Sequence, residues 1–349
     1  MNRNGMHVFM TGANGFVGLN IVAALVAAGH RVTAFVRPGS NVSYLEPFGA
    51  DGGGSVGSVD IVRGELSDLS AVVKAMSGAQ GVIHTAGNTS CNKRDWPLLQ
   101  EVNVQGTRNV VDAAIANKVQ RIVYTSTTST IGAFKDEAQV ANEDTVLKGF
   151  RARSPYGISK QMAEQAVLDA QKHGVECVIL NPAEVLGAFD YSMQWGRMVL
   201  AVYHNQVPFM PPGGGTFCSA AEVGRAHVSA LTQGRSGERY ILGGDNVSYE
   251  HFLTAIAKVL GQVFDKPDVN YTWLYVKSVL QEKFPLLLSG KPIVEPYRMR
   301  VFGGTYYFDS AKAERELSYR PVSLEQMLHD CVQWYQRHGF ISRPAAVIN

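Results

Sequence analysis

Cysteine is scarce in this chain of 349 residues. Cys91, Cys177, Cys218 and Cys331 are the four present, and none stands at disulfide-framework or zinc-ligand spacing from another. That excludes a small disulfide-stapled fold and reads as the reduced thiols of a cytoplasmic protein. An excess of one charge is also missing: 32 Lys and Arg against 30 Asp and Glu leave a net +2. Neither nucleic acid nor an anionic membrane surface is therefore an expected partner. The nine histidines show no ligand spacing, so no metal is expected. No apolar run approaches the roughly 18 residues that a spanning helix needs. Arg3 followed by apolar sequence to Ala28 imitates a signal peptide. However, Gly12, Asn14, Gly15, Gly18 and Asn20 divide it into a strand and an amphipathic helix. Asn41-Val42-Ser43, Asn88-Thr89-Ser90 and Asn246-Val247-Ser248 match the glycosylation tripeptide but, without a secretion signal, carry no meaning.

What is present begins with glycine at an informative spacing. Met6 to Gly18 reads as a buried strand, a glycine turn and the start of a helix that continues through Ile21, Val22, Leu25 and Val26. In Gly12-x-x-Gly15-x-x-Gly18 one glycine makes the bend, one admits an anion close to the backbone, and one lets helix pack on strand. The helix N-terminus then offers free N–H groups to a pyrophosphate. An ordinary βα turn uses the same residues, so the rest of the chain must decide. Strands are predicted at Arg31–Val36, Val59–Arg63, Gly81–His84, Arg121–Thr125 and Glu176–Leu180. Between them come helices from Ser67 (Asp68 in the first turn), from Trp96 to Asn117, and from Pro155 to about His173. This alternation implies a Rossmann-type, doubly wound α/β fold whose parallel sheet binds ligands at its carboxyl edge. Gly52-Gly53-Gly54-Ser55 reads as a flexible surface loop. After Pro182 the texture changes. Pro208, Pro211, Pro212 and Gly213–Gly215 break the pattern, and helices are predicted around 193–203, 249–260, 273–283, 310–317 and 324–337. Residues 1–182 are thus expected to form the dinucleotide-binding domain. Residues 183–349 should form a smaller, mostly helical substrate lobe, with some segments returning to the first domain.

The catalytic signal is Ser154-Pro155-Tyr156-Gly157-Ile158-Ser159-Lys160. Ser154 suits a helix cap and Pro155 the first helical position. Tyr156 and Lys160 then share one face, a turn apart. An ammonium beside a phenol favours the phenolate and lowers its pKa from about 10 toward the working range. Such a tyrosine can give a proton to a carbonyl oxygen or take one from an alcohol. A surface pair on a helix has the same spacing, but the position after the fifth strand of a nucleotide-binding sheet favours the catalytic reading. At the end of that strand, Thr125-Ser126-Thr127-Thr128-Ser129-Thr130 places hydroxyls where they can donate to a developing oxyanion. Local backbone bonding accounts for most of the six.

These pieces resemble the extended short-chain dehydrogenase/reductases of the epimerase/dehydratase superfamily, most of all their dihydroflavonol reductase and 3β-hydroxysteroid dehydrogenase branch. The matching segments run in order through Thr11–Gly18, Gly64–Asp68, Val82–Gly87, Val102–Thr107, Thr125–Thr127, Tyr156–Lys160, Asn181–Gly187 and Gly237–Leu242, and continue to Ser310–Ala313 and Tyr319–Pro321. The resemblance implies that Tyr156 is the proton donor and acceptor and that Lys160 binds the nicotinamide ribose and tunes Tyr156. The family's catalytic hydroxyl falls on Thr127, with Ser126 beside it. It also implies a cofactor groove formed by Gly12, Asn14, Gly15, Phe16, Val17 and Gly18, with Glu65 and Leu66 near the adenine. Thr85, Ala86, Gly87 and Thr125 would lie beneath the cofactor, Asn103 would hold nearby backbone, and Pro182 with Val185 would border the nicotinamide. His84 is expected to be structural.

Charge selects between the two dinucleotides. An NAD-specific fold places an acid after the second strand, yet no Asp or Glu occurs from Leu19 to Leu45, and the strand ends in Arg37-Pro38-Gly39-Ser40. A guanidinium there suits a 2′-phosphate, so NADP(H) is expected over NAD(H). Cys91, Glu184, Tyr191, Met193, Trp195 and Phe217 are the candidate substrate contacts. Their mix suits a ketone, aldehyde or alcohol on a largely apolar small molecule, although core packing explains any one of them equally. Two other readings stay open. One is a sugar-nucleotide epimerase or dehydratase with tightly held NAD, for which Arg197, Arg225, Arg298 and Arg300 are candidate phosphate ligands. The other is a cofactor-binding regulator without turnover, against which the retention of both Tyr156 and Lys160 argues. The resemblance also allows a homodimer.

Overall fold

Val8, Phe9 and Met10 have no exposed surface, a condition three consecutive strand residues meet only between two covering layers. The computed structural model describes residues 5–49, 57–134, 138–266, 269–284 and 294–342. Arg3 and the Gly52–Ser55 segment lie outside the described residues. The first part of the chain reads β1 (His7–Thr11), α1 (Phe16–Ala27), β2 (Arg31–Val36), β3 (Ser58–Arg63), α2 (Leu69–Ala75), β4 (Gly81–His84), α3 (Trp96–Leu99), α4 (Gly106–Ala116), β5 (Arg121–Thr125), α5 (Pro155–Asp169) and β6 (Glu176–Pro182). There follow β7 (Glu184–Leu186), α6 (Gly196–Tyr203), β8 (Gly214–Ser219), α7 (Ala220–Ala230), β9 (Arg239–Leu242), β10 (Asn246–Ser248) and α8 (Tyr249–Val259). The last elements are α9 (Tyr271–Lys283), α10 (Pro296–Phe302), β11 (Thr305–Tyr306), α11 (Ala311–Leu317) and α12 (Leu324–Arg337).

The main sheet has the order β3-β2-β1-β4-β5-β6-β9 and is parallel throughout. Winding reverses between β1 and β4, so the crevice above their carboxyl ends is the place where this topology binds ligands. Side chains alternate across the sheet as the pleat requires. Val8 and Met10 pack with Leu19 and Ile21 of α1 on one face, while Phe9 packs with Val110 of α4 and Val167 of α5 on the other. The segment predicted as one helix from Trp96 to Asn117 widens into a π-helical turn at Gln100–Gln105, which brings Asn103 into the interior. Asp68, expected inside the first turn of α2, instead caps it: its carboxylate accepts from Ala71 N at 3.0 Å.

The C-terminal part is less purely helical than expected. β8 pairs antiparallel with β10 and parallel with β7 and β11. This second sheet escapes pattern reading because β8 opens on glycines and is buried along its whole length, so it shows no alternation. Its partners span two or three residues. Helices α7 and α10 were also not anticipated. Three late elements join the layers of the main sheet: β9 is the seventh strand, α7 packs on α1, and Ala313 and Leu317 of α11 join the core cluster of β1.

The α1–α7 contact depends on a missing side chain. A Cβ at Gly224 would stand 2.4 Å from Asn20 O, while Asn20 uses its side chain to donate to Ala188 O at 2.9 Å and Phe16 O at 3.0 Å. Gly224→Val should therefore lower stability by about 1–3 kcal/mol or more through overpacking, measured as a shift in the urea midpoint. A midpoint equal to wild type would show that these helices separate at little cost.

Candidate active site

The glycine turn is built as a cradle for an anion. Gly12 has φ +72°, and a Cβ there would stand 2.6 Å from Ala86 N; one on Gly18 would stand 1.9 Å from Gly12 O. Helix α1 begins at Gly15 with no side-chain cap and no acid in its first turn, so its leading N–H groups point free into the crevice. The residues present thus fit a dinucleotide pyrophosphate. They open a cleft of about 2340 Å³ over the carboxyl ends of the sheet, which continues toward the second lobe. Asn14, Phe16, Val17, Arg37, Leu66, Thr85, Ala86, Gly87, Thr125, Pro182 and Val185 all line it.

Of the residues expected around the cofactor, Glu65 and Asn103 do not line the cleft, and Asn103 instead holds nearby backbone, as the resemblance implies. Glu65 is exposed and off the cleft wall while its neighbour Leu66 lines it, because consecutive residues leaving β3 face opposite ways. Asn103 is fully buried behind the wall. There it accepts from Asn88 N at 2.7 Å and donates to Asn88 O at 2.9 Å and to Ser159 Oγ at 2.9 Å, holding the loop after β4 against α5. Ser40 joins the cleft wall beside Arg37, and Arg63 donates to its carbonyl at 3.2 Å.

Helix α5 is capped as its sequence promised, with Ser154 accepting from Gly157 N and Pro155 in the first turn. Tyr156 and Lys160 both face the cleft. Lys160 is buried, donates from Nζ to Thr125 O at 2.7 Å, and lies 4.2 Å from the centre of the Tyr124 ring. Burial lowers its pKa to about 7 against the opposing pull of Glu164. The Tyr156 phenol differs from expectation. Burial chiefly, with the Cys91 thiol and Glu184 adding to it, raises its pKa above the usual tyrosine value, and a hydrogen bond from Thr127 lowers it only in part. Lys160 does not depress it here, since its Nζ is turned to Thr125 and its own charge is weakened by burial. A phenol held neutral in this way is a proton donor rather than a ready base.

Ser126 lines the cleft, but its hydroxyl is buried and bonded to Glu164 Oε1. The same oxygen accepts from Thr130 Oγ1 at 2.8 Å and Asn181 Nδ2 at 3.0 Å. Oε2 makes a charge contact with Arg239 Nη2 at 2.8 Å. Nothing local in the sequence pointed to Glu164, because its partners come from three separated segments. His84 bridges Thr11 Oγ1 at 2.6 Å and Thr107 Oγ1 at 2.8 Å, and burial lowers its pKa to about 3, so it is a neutral strut.

Among the substrate candidates, Cys91, Glu184 and Trp195 reach the cleft wall. Burial raises Glu184 to about 7, opposed by a hydrogen bond from Trp195 and by Arg151. The other three are packing residues. Phe217 is buried and stacks on Phe252 at 4.1 Å, Tyr191 stacks on Tyr44 at 3.7 Å, and Met193 packs into the second lobe's core. Arg298, Arg300 and Arg197 line the cleft, whereas Arg225 lies off it, paired with Glu222.

The model of the NAD dependent epimerase/dehydratase family matches residues 8–243. The chain belongs to that family. It is an oxidoreductase of the extended short-chain dehydrogenase/reductase type, and the family binds a nicotinamide dinucleotide. The chain is 31% identical over 338 residues to a Synechocystis protein provisionally called dihydroflavonol 4-reductase, covering 95% of each. It is 30% identical to 3 beta-hydroxysteroid dehydrogenase type 7 of Mus musculus, covering 94% of this chain and 95% of that one. Among solved structures, the crystal structure of gox2253 superposes with a TM-score of 0.81 at 27% identity, covering 97% of this chain and 100% of that one. Among the described residues, no helix of this family member is long and apolar enough to cross a membrane.

Because Glu164 has no exposed surface and serves four partners, Glu164→Ala should cost about 3–5 kcal/mol, the range for breaking a buried pair. Urea unfolding at unchanged m-value is the check, and a loss below about 1 kcal/mol would demote the cluster to a surface-like contact.

Proposed function

We propose that this chain reduces a ketone or aldehyde on a largely apolar small molecule, or oxidises the corresponding alcohol, with NADP(H). The observation that carries this reading is the convergence of Tyr156, Lys160 and Thr127 with the Gly12–Gly18 cradle on one cleft. A bound nicotinamide dinucleotide supplies the hydride. Tyr156, neutral at physiological pH because it is buried, gives its proton to the substrate oxygen. Thr127, already bonded to that phenol, offers a second hydroxyl to the same oxygen. Lys160 is held by Thr125 O close to Gly87, where its remaining N–H groups can meet a ribose. Trp195 and Cys91 contribute apolar wall at the far end.

Arg37 and Ser40 on the wall, with Arg63 tied to the same loop and Glu65 turned away, support the 2′-phosphate of NADP(H). The dehydrogenase and reductase relatives support carbonyl and alcohol chemistry, and the steroid-acting one supports an apolar substrate. A sugar-nucleotide epimerase remains the second reading because Arg298 and Arg300 face the cleft. The two part on cofactor behaviour: an epimerase keeps NAD through purification, while a reductase releases its nucleotide at every turnover.

A panel of apolar ketones and aldehydes, followed by NADPH absorbance, tests the proposal. The expected result is turnover with NADPH preferred to NADH. Arg37→Ser should raise the KM for NADPH about tenfold, the loss expected for one charge-assisted contact, and leave that for NADH unchanged. Purified protein carrying stoichiometric NAD and oxidising no NADPH would favour the epimerase.

A further inference from the structure

The mechanism leaves on the cleft wall one half-buried cation that has no ion pair among the described residues and whose Nη1 is fully buried. Arg151 sits in the turn Arg151–Arg153 just before α5. Its guanidinium lies 4.6 Å from the centre of the Tyr306 ring and 5.5 Å from that of Phe308, and Nη2 donates to Thr128 O at 2.9 Å. Nη1 is buried and has no partner. Among the described residues no carboxylate lies within 4 Å of this guanidinium, although Glu184 is near enough to act on it through space. The hydroxyl of Tyr249, close to both, is likewise buried and unpartnered.

Buried polar groups are normally satisfied, and an uncompensated buried charge is among the least tolerated features of a folded chain. An unmatched guanidinium nitrogen beside a carboxyl that shares the cleft wall therefore marks a place for a ligand group. A guanidinium with a free donor matches a carboxylate or phosphate oxygen. A single carboxylate needs only one free cation, whereas a diphosphate needs several. Arg298 is paired with Glu295 and Arg197 gives its Nε to the carbonyls of Met193 and Gln194, which leaves Arg300, 4.5 Å from the centre of the Phe150 ring, as the further cation a diphosphate would require.

Resting on the oxidoreductase reading above and narrowing it, we propose that the substrate carries a carboxylate on its apolar body and that Arg151 receives that carboxylate. Glu184, raised by burial to about 7, is protonated in part near neutral pH. In that state it adds a donor beside Arg151 rather than a repelling charge.

Equilibrium titration of the full-length protein with decanoate, decanol and UDP tests this without requiring turnover. Wild type should bind decanoate at least tenfold more tightly than decanol or UDP. R151M should reduce the decanoate-to-decanol ratio at least tenfold. Should R151M fail to fold, R151K must still lower the ratio threefold or more, since lysine lacks the planar fork. Equal binding of acid and alcohol by wild type, a ratio unchanged by substitution, or Arg151-dependent binding of UDP in place of decanoate would overturn the proposal. Selective decanoate binding together with no NADPH oxidation on any carbonyl would leave the carboxylate site standing and remove the reductase reading. Turnover of neutral ketones with a flat acid-to-alcohol ratio would do the reverse.

Discussion

A single carboxylate with no exposed surface fixes where the chemistry of this protein takes place. Glu164 lies one turn beyond Lys160 on α5 and gathers Ser126 and Thr130 from the segment after β5, Asn181 from β6 and Arg239 from β9. The bonds to Ser126, Thr130 and Asn181 reach the carboxyl edge of the sheet, and the contact with Arg239 reaches the start of β9. The register of α5 against that edge follows, and with it the placement of Tyr156 and Lys160 over the crevice. Low local polarity makes such a network strong when complete and costly when broken. It is assembled from distant segments of the chain.

The same exclusion of water sets the proton affinities in the cleft. Burial raises Tyr156 and Glu184 and lowers Lys160. Three groups with widely separated ordinary values are drawn toward their uncharged forms, and what keeps Lys160 partly charged is Glu164 behind it. Tyr156 accordingly rests as an acid. The lysine is held by a carbonyl of β5 rather than by the phenol, so in the proposed reaction Lys160 would serve the cofactor side, and Thr127 and Tyr156 the substrate oxygen. Arg151 stands apart from this neutralisation as a half-buried cation with no ion pair among the described residues.

Much of this was legible in the sequence wherever the constraint is local. Gly12, Gly15 and Gly18 are close in the chain, and the steric reason for each acts within a few residues, so the cradle could be read before it was seen. The alternation of strands and helices revealed the parallel sheet for the same reason, as did the cap and the four-residue step that place Tyr156 and Lys160. What escaped reading depends on partners far away. Phe217, Tyr191 and Met193 are apolar or aromatic in sequence whether they line a pocket or pack a core; the tertiary fold buries Phe217 and packs the partly buried Tyr191 and Met193 against the same cluster, off the cleft. Ser126 and Thr127 are adjacent hydroxyls of equal promise, distinguished by a glutamate 38 residues away from the first of them. Glu65 carries the expected charge at the expected place, two residues past β3, but is exposed and off the cleft wall. The small sheet around β8 and the returning α7 lacked the alternation and length by which such elements announce themselves.

The central claim is that Tyr156 does chemistry on a substrate in a cleft whose cofactor cradle is independent of it. Tyr156→Phe removes one oxygen, so NADPH affinity and NADPH oxidation measured on that variant separate the two most directly. The account predicts a dissociation constant for NADPH close to that of wild type and turnover reduced by about a hundred- to ten-thousandfold. Turnover equal to wild type, or nucleotide binding lost in the same proportion as turnover, would contradict it.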